Sequence, residues 1–157
     1  MTNSETTPFP LDSLTLRLAN HEDLDTLGQL YADMDGHDPL SSTVLTNIFE
    51  QIQTVPNYSI YLVEAQGLAI GTFSLLILPT MMHEGYHRSA LLDSVTLLST
   101  YRSRGIGRWM MQQAMQICRA GGCYKLMLSS NLQRNRAHNF YQSLGFQQHG
   151  WSFSLQL

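Results

Sequence analysis

The sequence predicts an α/β (α+β) fold: a single mixed, mostly antiparallel central sheet with helices on both of its faces. Three observations carry this expectation. Stretches with apolar period two alternate with stretches of helical period, three strand-like stretches follow one another in the middle of the chain, and a glycine-bearing turn, YRSRGIG (Tyr101 to Gly107), joins the last of these to an amphipathic helix. At 157 residues and 43% apolar content the chain is long enough for one core with a ligand cleft. Residues 1–10 read as a loose polar tail and 11–157 as one domain.

Leu14, Leu16 and Leu18 alternate with Thr15 and Arg17, predicting a first strand at 13–19. Asn20, followed by Glu22 and Asp23, is placed to cap a helix that turns Leu24, Leu27, Leu30 and Tyr31 inward and stops near Gly36 and Pro39. A second helix over 42–53 puts Val44, Ile48 and Ile52 on one face, and Pro56 with Asn57 ends it. Strands at 58–64 and 68–78, separated by Ala65, Gln66 and Gly67, form a hairpin. A polar loop leads to a third long strand, 89–98. Helix 106–120 carries Ile106, Met110, Ala114 and Ile117 at helical spacing and ends at Gly121 and Gly122. A strand at 123–129, a helix at about 134–144 and a last strand around 147–157 complete the order.

Composition excludes several classes. A formal charge of -3 offers no basic field for nucleic acid or an anionic membrane, so Arg102, Arg104 and Arg108 form a local patch suited to a small anion. The N-terminal segment has neither the basic start nor the apolar core of a signal peptide, and the run Leu68 to Leu78 is too short to span a bilayer, so a soluble cytoplasmic protein is expected. Cys118 and Cys123 are the only cysteines and read as buried free thiols; the six histidines lack metal-ligand spacing, and no metal is expected.

The turn YRSRGIG is built like an anion site. Glycines let the backbone approach closely, the first amides of the next helix point outward, and the helix dipole adds positive charge. It is not a dinucleotide loop, because Met110 stands where a GxGxxG run requires glycine, and it lacks the GKS or GKT ending of a nucleoside triphosphate site. The residues alone leave two readings, an ordinary strand-to-helix turn or a phosphate cradle.

A strand ending in LLSTYR, then RSRGIG opening a helix, then RAHNFYQSLGF about thirty residues on, together resemble the GNAT superfamily of acetyl-CoA-dependent N-acetyltransferases, most strongly from Asp93 to Phe146. The resemblance implies a GNAT-like fold and acetyl-CoA as co-substrate. It implies that Arg102, Ser103, Arg104, Gly105, Ile106 and Gly107 hold the pyrophosphate of coenzyme A, mostly through backbone N–H groups. It implies that Val95, Thr96 and Leu97 pair with the pantetheine arm as a strand would, with an amide there able to stabilise charge on the thioester carbonyl. Tyr141 matches the tyrosine that protonates the leaving thiolate, although Ala137, Phe140, Tyr141 and Leu144 also make an apolar face that would bury it as core.

Asp93 falls where many members carry a glutamate that acts through water as general base. With a side chain one methylene shorter, it works through a longer water chain, orients the substrate ammonium, or is a buried structural carboxylate. Arg134 replaces the asparagine usual seven residues before the tyrosine, and LSSNLQRNRAHNFY looks like the branch of small-amine and aminoalkylphosphonate acetyltransferases. Asn131 and Arg134 then contact cofactor or acceptor; alternatively Asn131 caps the last helix and Arg134 is solvated.

The acceptor pocket implied by the resemblance draws on the first two helices and the loop between the third and fourth strands, with Tyr31, Asp35 and Glu84 as substrate contacts beside Asp33, His37, Asp38, His83 and His87. Carboxylates at its mouth favour a small cationic amine, amino-acid-like, polyamine-like or aminophosphonate-like. The alternatives are an acetyltransferase acting on protein or peptide N-termini and a non-catalytic acyl-CoA-binding sensor. Trp151, Phe153 and Leu155, alternating along the expected last strand, make a homodimer paired through that strand a further expectation.

Overall fold

The computed structural model describes residues 9–82 and 84–157. His83 and most of the expected N-terminal tail lie outside the described residues. Five strands form one sheet in sequence order: β1 (Leu14–Leu18), β2 (Tyr58–Ala65), β3 (Leu68–Pro79), β4 (Arg88–Leu97) and β5 (Lys125–Met127). The first three pairings are antiparallel and β4 with β5 is parallel, which requires the intervening crossover through α3 (Ile106–Ala120). Helices α1 (Leu24–Asp35) and α2 (Ser42–Thr54) lie between β1 and β2 in the chain.

Local chemistry sets the boundaries. The Asn20 side chain accepts from Glu22 N and the Asp23 carboxylate accepts from Asn20 N, both at 2.8 Å, a capping box that starts the turn leading into α1. The helix ends on Gly36 at φ 72°, whose N–H reaches the Ala32 carbonyl. Gln66 (φ 52°) and Gly67 (φ 79°) make the left-handed pair that a two-residue hairpin turn needs between β2 and β3.

The two faces of the sheet carry different helices. Ile60 and Leu62 of β2 join Leu24, Leu27, Leu30, Leu45 and Phe49 in one cluster under α1 and α2. Thr72 and Ser74 oppose Leu62 and Ile60 in the ladder and share that face. On the other face a Cβ at Gly71 would lie 3.3 Å from Met110 of α3, and one at Gly121 would lie 2.9 Å from Ile77. Ile106, Met110, Met111 and Ala114 are buried there.

A second compact unit comprises Leu128–Leu157. It contains α4 (Asn135–Gln142), whose last turn is closed by Phe146 N donating to the Tyr141 carbonyl and by Gly145 at φ 94°. The expected last strand at 147–157 does not form: those residues adopt no ladder, and Trp151, Phe153 and Leu155 are 77%, 89% and 84% exposed. Alternating apolar residues define a face, but a strand exists only where its N–H and C=O groups find a partner edge.

Candidate active site

Strand β4 changes character half-way. Its ladder with β3 slips between Thr72 and Ser74, so that Ser74 faces Asp93 while Thr72 faces Thr96. Ser94, the extra residue, sits at φ 51°, a left-handed conformation that costs a serine on the order of 1–3 kcal/mol. Two contacts hold the bulge: the Asp93 carboxylate accepts from Ser94 N at 2.7 Å, and the Ser74 hydroxyl donates to the Asp93 carbonyl at 3.2 Å. Asp93 is exposed, which removes its reading as a buried structural carboxylate.

Beyond the bulge, no strand among the described residues pairs with the outer edge of β4. Its ladder with β5 covers Ser89–Leu91 and stops. Leu98 N donates to the Ile70 carbonyl, so alternation turns the Thr96 peptide groups toward β3 and those of Val95 and Leu97 toward the opposite edge. Arg102 Nε donates to the Leu97 carbonyl at 2.9 Å, as that orientation requires. Of the three strand residues singled out from the sequence, Val95 and Leu97 thus turn their peptide groups outward, the Leu97 carbonyl already accepting from Arg102, while Thr96 is 2% exposed and spent on the sheet.

The turn after β4 is a 3-10 turn at Ser99–Tyr101, an extended Arg102, and then two left-handed residues, Ser103 (φ 61°) and Gly105 (φ 84°), with Gly105 as the N-cap of α3. Left-handed residues in such a turn aim successive N–H groups into one concavity, a nest for an anion, and the α3 dipole adds to it. Arg104 stacks over the Tyr101 ring at 5.8 Å. The Arg102 guanidinium also stands 4.0 Å from Asp33.

Against the opposite side of the bulge lies a cavity of about 240 Å³ beneath α1 and α2. Leu24, Leu27, Leu45, Ile48, Phe49, Ile52 and Ile60 form its apolar walls, and Tyr31, Tyr58, Ser74 and Ser94 are its polar lining. Burial raises the Tyr31 phenol above its ordinary pKa, opposed by a hydrogen bond with Thr72 and reinforced by the nearby Tyr58 and Asp93. Asp35 is the exposed last residue of α1, and Glu84 (φ 52°) is exposed in the β3–β4 loop; neither lines the cavity.

In the second unit, the Tyr141 ring stands 5.3 Å from Phe140 and 5.6 Å from Phe146. Burial raises its pKa, and Arg134 pulls it down. Asn131 does not cap α4; its side chain accepts from Gln133 N at 2.9 Å, closing a turn ahead of the helix, and Arg134 occupies the N-cap position without a capping bond from its side chain.

The profile of the acetyltransferase (GNAT) family matches residues 24–146. The chain belongs to the GNAT acetyltransferase family. It is 28% identical over 145 residues to a glucosamine 6-phosphate N-acetyltransferase of Trypanosoma brucei brucei, covering 92% of this chain and 96% of that relative. A crystal structure of a Trypanosoma brucei acetyltransferase superposes with a TM-score of 0.78 at 28% identity over 92% of this chain and 99% of that one. The Arabidopsis thaliana glucosamine-6-phosphate N-acetyltransferase shares the fold, with a TM-score of 0.76 at 19% identity over 91% of this chain and 97% of that one. This GNAT protein is accordingly an acetyl-CoA-dependent N-acetyltransferase.

In this acetyltransferase the cavity lining includes Tyr31, which sequence reasoning singled out, and Ser74, Ser94 and Tyr58, which it did not. Period-two alternation cannot show a bulge, and the strand text LLDSVTLL carries no glycine to mark one. Among the described residues no helix is long and apolar enough to cross a membrane, and no three His, Cys, Asp or Glu side chains gather as metal ligands. Both cysteines are free thiols, Cys118 buried with its pKa pushed up to about 11.

Proposed function

We propose that the enzyme transfers the acetyl group of acetyl-CoA to the primary amine of a small molecule by direct attack. The observation that supports a small acceptor over a peptide N-terminus is the cavity itself: about 240 Å³, fragment-sized and walled by two helices, beside the bulge that carries Asp93. The trypanosomal relative named for glucosamine 6-phosphate agrees with a small amine as acceptor.

The roles follow from the chemistry. Amides of Arg102 to Gly107 hold the pyrophosphate, a task suited to the left-handed Ser103 and Gly105. The free edge at Val95 and Leu97 takes the pantetheine arm as an added strand. Asp93, exposed at the bulge, accepts a proton from the ammonium, directly or through water. The amine nitrogen then bonds to the thioester carbonyl carbon, the carbon–sulfur bond breaks, and the thiolate takes a proton from Tyr141. At reference values that last transfer is uphill by about 1.5 pKa units. Burial of Tyr141 steepens it on the donor side, so Arg134 and desolvation of the thiolate, which raises the thiol pKa in the same way, are the offsetting influences. Asn131 and Arg134 are assigned to contacts with coenzyme A.

The test is thiol release from acetyl-CoA over a panel of small primary amines, with acetyl-CoA binding measured separately by calorimetry. Amine-dependent release is expected. Tight acetyl-CoA binding with no turnover on any amine would instead identify a sensor domain, and acetylation confined to a peptide N-terminus would identify a protein acetyltransferase.

A further inference from the structure

We infer that the acceptor is an amine carrying an uncharged apolar group, of the arylalkylamine or short alkylamine class, rather than a sugar phosphate, an aminophosphonate or a polyamine. This rests on the small-molecule reading above. The cavity has a direction. Leu24, Leu27 and Tyr31 lie along one stripe of α1 at spacings of three and four residues, so its polar end at Tyr31 is roughly 10 Å from its apolar end at Leu24. At the polar end Ser94 places the Asp93 carboxylate beside the lining, which suits an ammonium group. From α2, Leu45, Ile48, Phe49 and Ile52 add only apolar lining.

None of the described lining residues carries a formal charge. A phosphate or a second ammonium seated there would meet no counter-ion among those residues and would exchange water for apolar side chains. An aromatic ring or short alkyl chain gains from the same surface. At about 240 Å³ the space suits a phenyl ring on a short linker and is small for a larger ligand.

The deciding experiment compares kcat/KM with saturating acetyl-CoA for 2-phenylethylamine, ethylamine, glucosamine 6-phosphate and putrescine. Calorimetric titration of each amine into the CoA-loaded protein supplies a readout independent of turnover. The expected result is a kcat/KM for 2-phenylethylamine at least about tenfold above that for ethylamine, with glucosamine 6-phosphate and putrescine below both. Ile48, which is 44% exposed and so tolerates change, supplies the variant: in Ile48→Asp the ratio of 2-phenylethylamine to ethylamine should fall by at least about tenfold. Turnover of small amines with glucosamine 6-phosphate or putrescine preferred overturns this inference and leaves the acetyltransferase reading intact. No turnover with 2-phenylethylamine still binding more tightly than ethylamine defeats the catalytic reading and leaves the pocket assignment standing. Equal binding of all four amines overturns the pocket assignment.

Discussion

Replacing Gly105 with alanine separates the cost of a backbone conformation from the cost of losing a ligand. Gly105 sits at φ 84° and ψ -11°, and an added Cβ would meet only the Leu11 side chain at 3.7 and 3.9 Å, ordinary contact distances. The protein therefore has room for the methyl group. Its penalty is the left-handed backbone, about 1–2 kcal/mol, a minority share of a stability of about 5–15 kcal/mol. For a chain of this size that corresponds to a fall in Tm of roughly 2–8 °C, so the variant should fold.

Coenzyme A binding should suffer more. If the new methyl group displaces phosphate from one amide, the loss is that of a hydrogen bond to a charged group, about 1.5–3 kcal/mol, or roughly a 10- to 150-fold rise in Kd. Gly67→Ala is the control. Gly67 has nearly the same conformation, φ 79°, with nothing within 4 Å of an added Cβ, but lies in the β2–β3 hairpin turn. Titration calorimetry with coenzyme A should show a matching Tm loss in both variants and weakened binding only in Gly105→Ala. A Kd within twofold of the parent in Gly105→Ala would refute the anion nest.

Tyr141→Phe should lower kcat and leave the coenzyme A Kd within about twofold, as measured by thiol release and calorimetry; equal kcat would assign thiolate protonation to water. Because burial raises the Tyr141 pKa, the stability gained by burying a neutral phenol is complete below the unfolded value of about 10 and is lost as pH rises through the higher folded value. Alkaline unfolding followed by circular dichroism should therefore move to higher pH in the phenylalanine variant. Asp23→Asn removes a carboxylate that takes two hydrogen bonds of 2.7 Å from Arg17, and should cost about 1–3 kcal/mol in urea denaturation at pH 7. Arg17 holds the Asp23 carboxyl below its ordinary pKa, so this contribution is present above about pH 3.9 and fades as pH falls through the lower folded value; the difference between the two proteins should close in acid. Gly71→Ala would place a Cβ 2.8 Å from the Thr96 carbonyl oxygen, a backbone atom that cannot rotate away, and should destabilise by about 1–3 kcal/mol while lowering kcat/KM through displaced β4.

Legibility in the sequence followed the range of the forces involved. The β2–β3 hairpin was readable because Gln66 and Gly67 impose a turn by their own dihedrals, and α1 because Asn20, Asp23 and Gly36 are local capping groups. The turn at Ser103 and Gly105 was readable for the same reason. Residues 147–157 were misread because a strand depends on a distant edge that no local pattern reports. The strand expected at 123–129 shrank to Lys125–Met127, since its partner β4 offers a paired edge only over Ser89–Leu91. Asp35 and Glu84 were assigned to the acceptor pocket by the segments they lie in and by their charge, whereas the cavity is lined by residues three and four apart on α1 and by a bulge.

That bulge links the separate parts of the β4 site. With strict alternation, residues 93 and 96 would point to opposite faces of the sheet. The extra residue Ser94 restores them to one face: Asp93 stands opposite Ser74 and Thr96 opposite Thr72, both on the side of α1 and α2. The carboxylate is thereby kept on that face next to Ser94, which lines the cavity, while Val95 and Leu97 keep their peptide groups on the edge that β5 leaves uncovered. A regular strand would have to give up one or the other. The strain held at Ser94 is thus matched by the placement of the proposed acceptor-side and cofactor-side groups within five residues of a single strand.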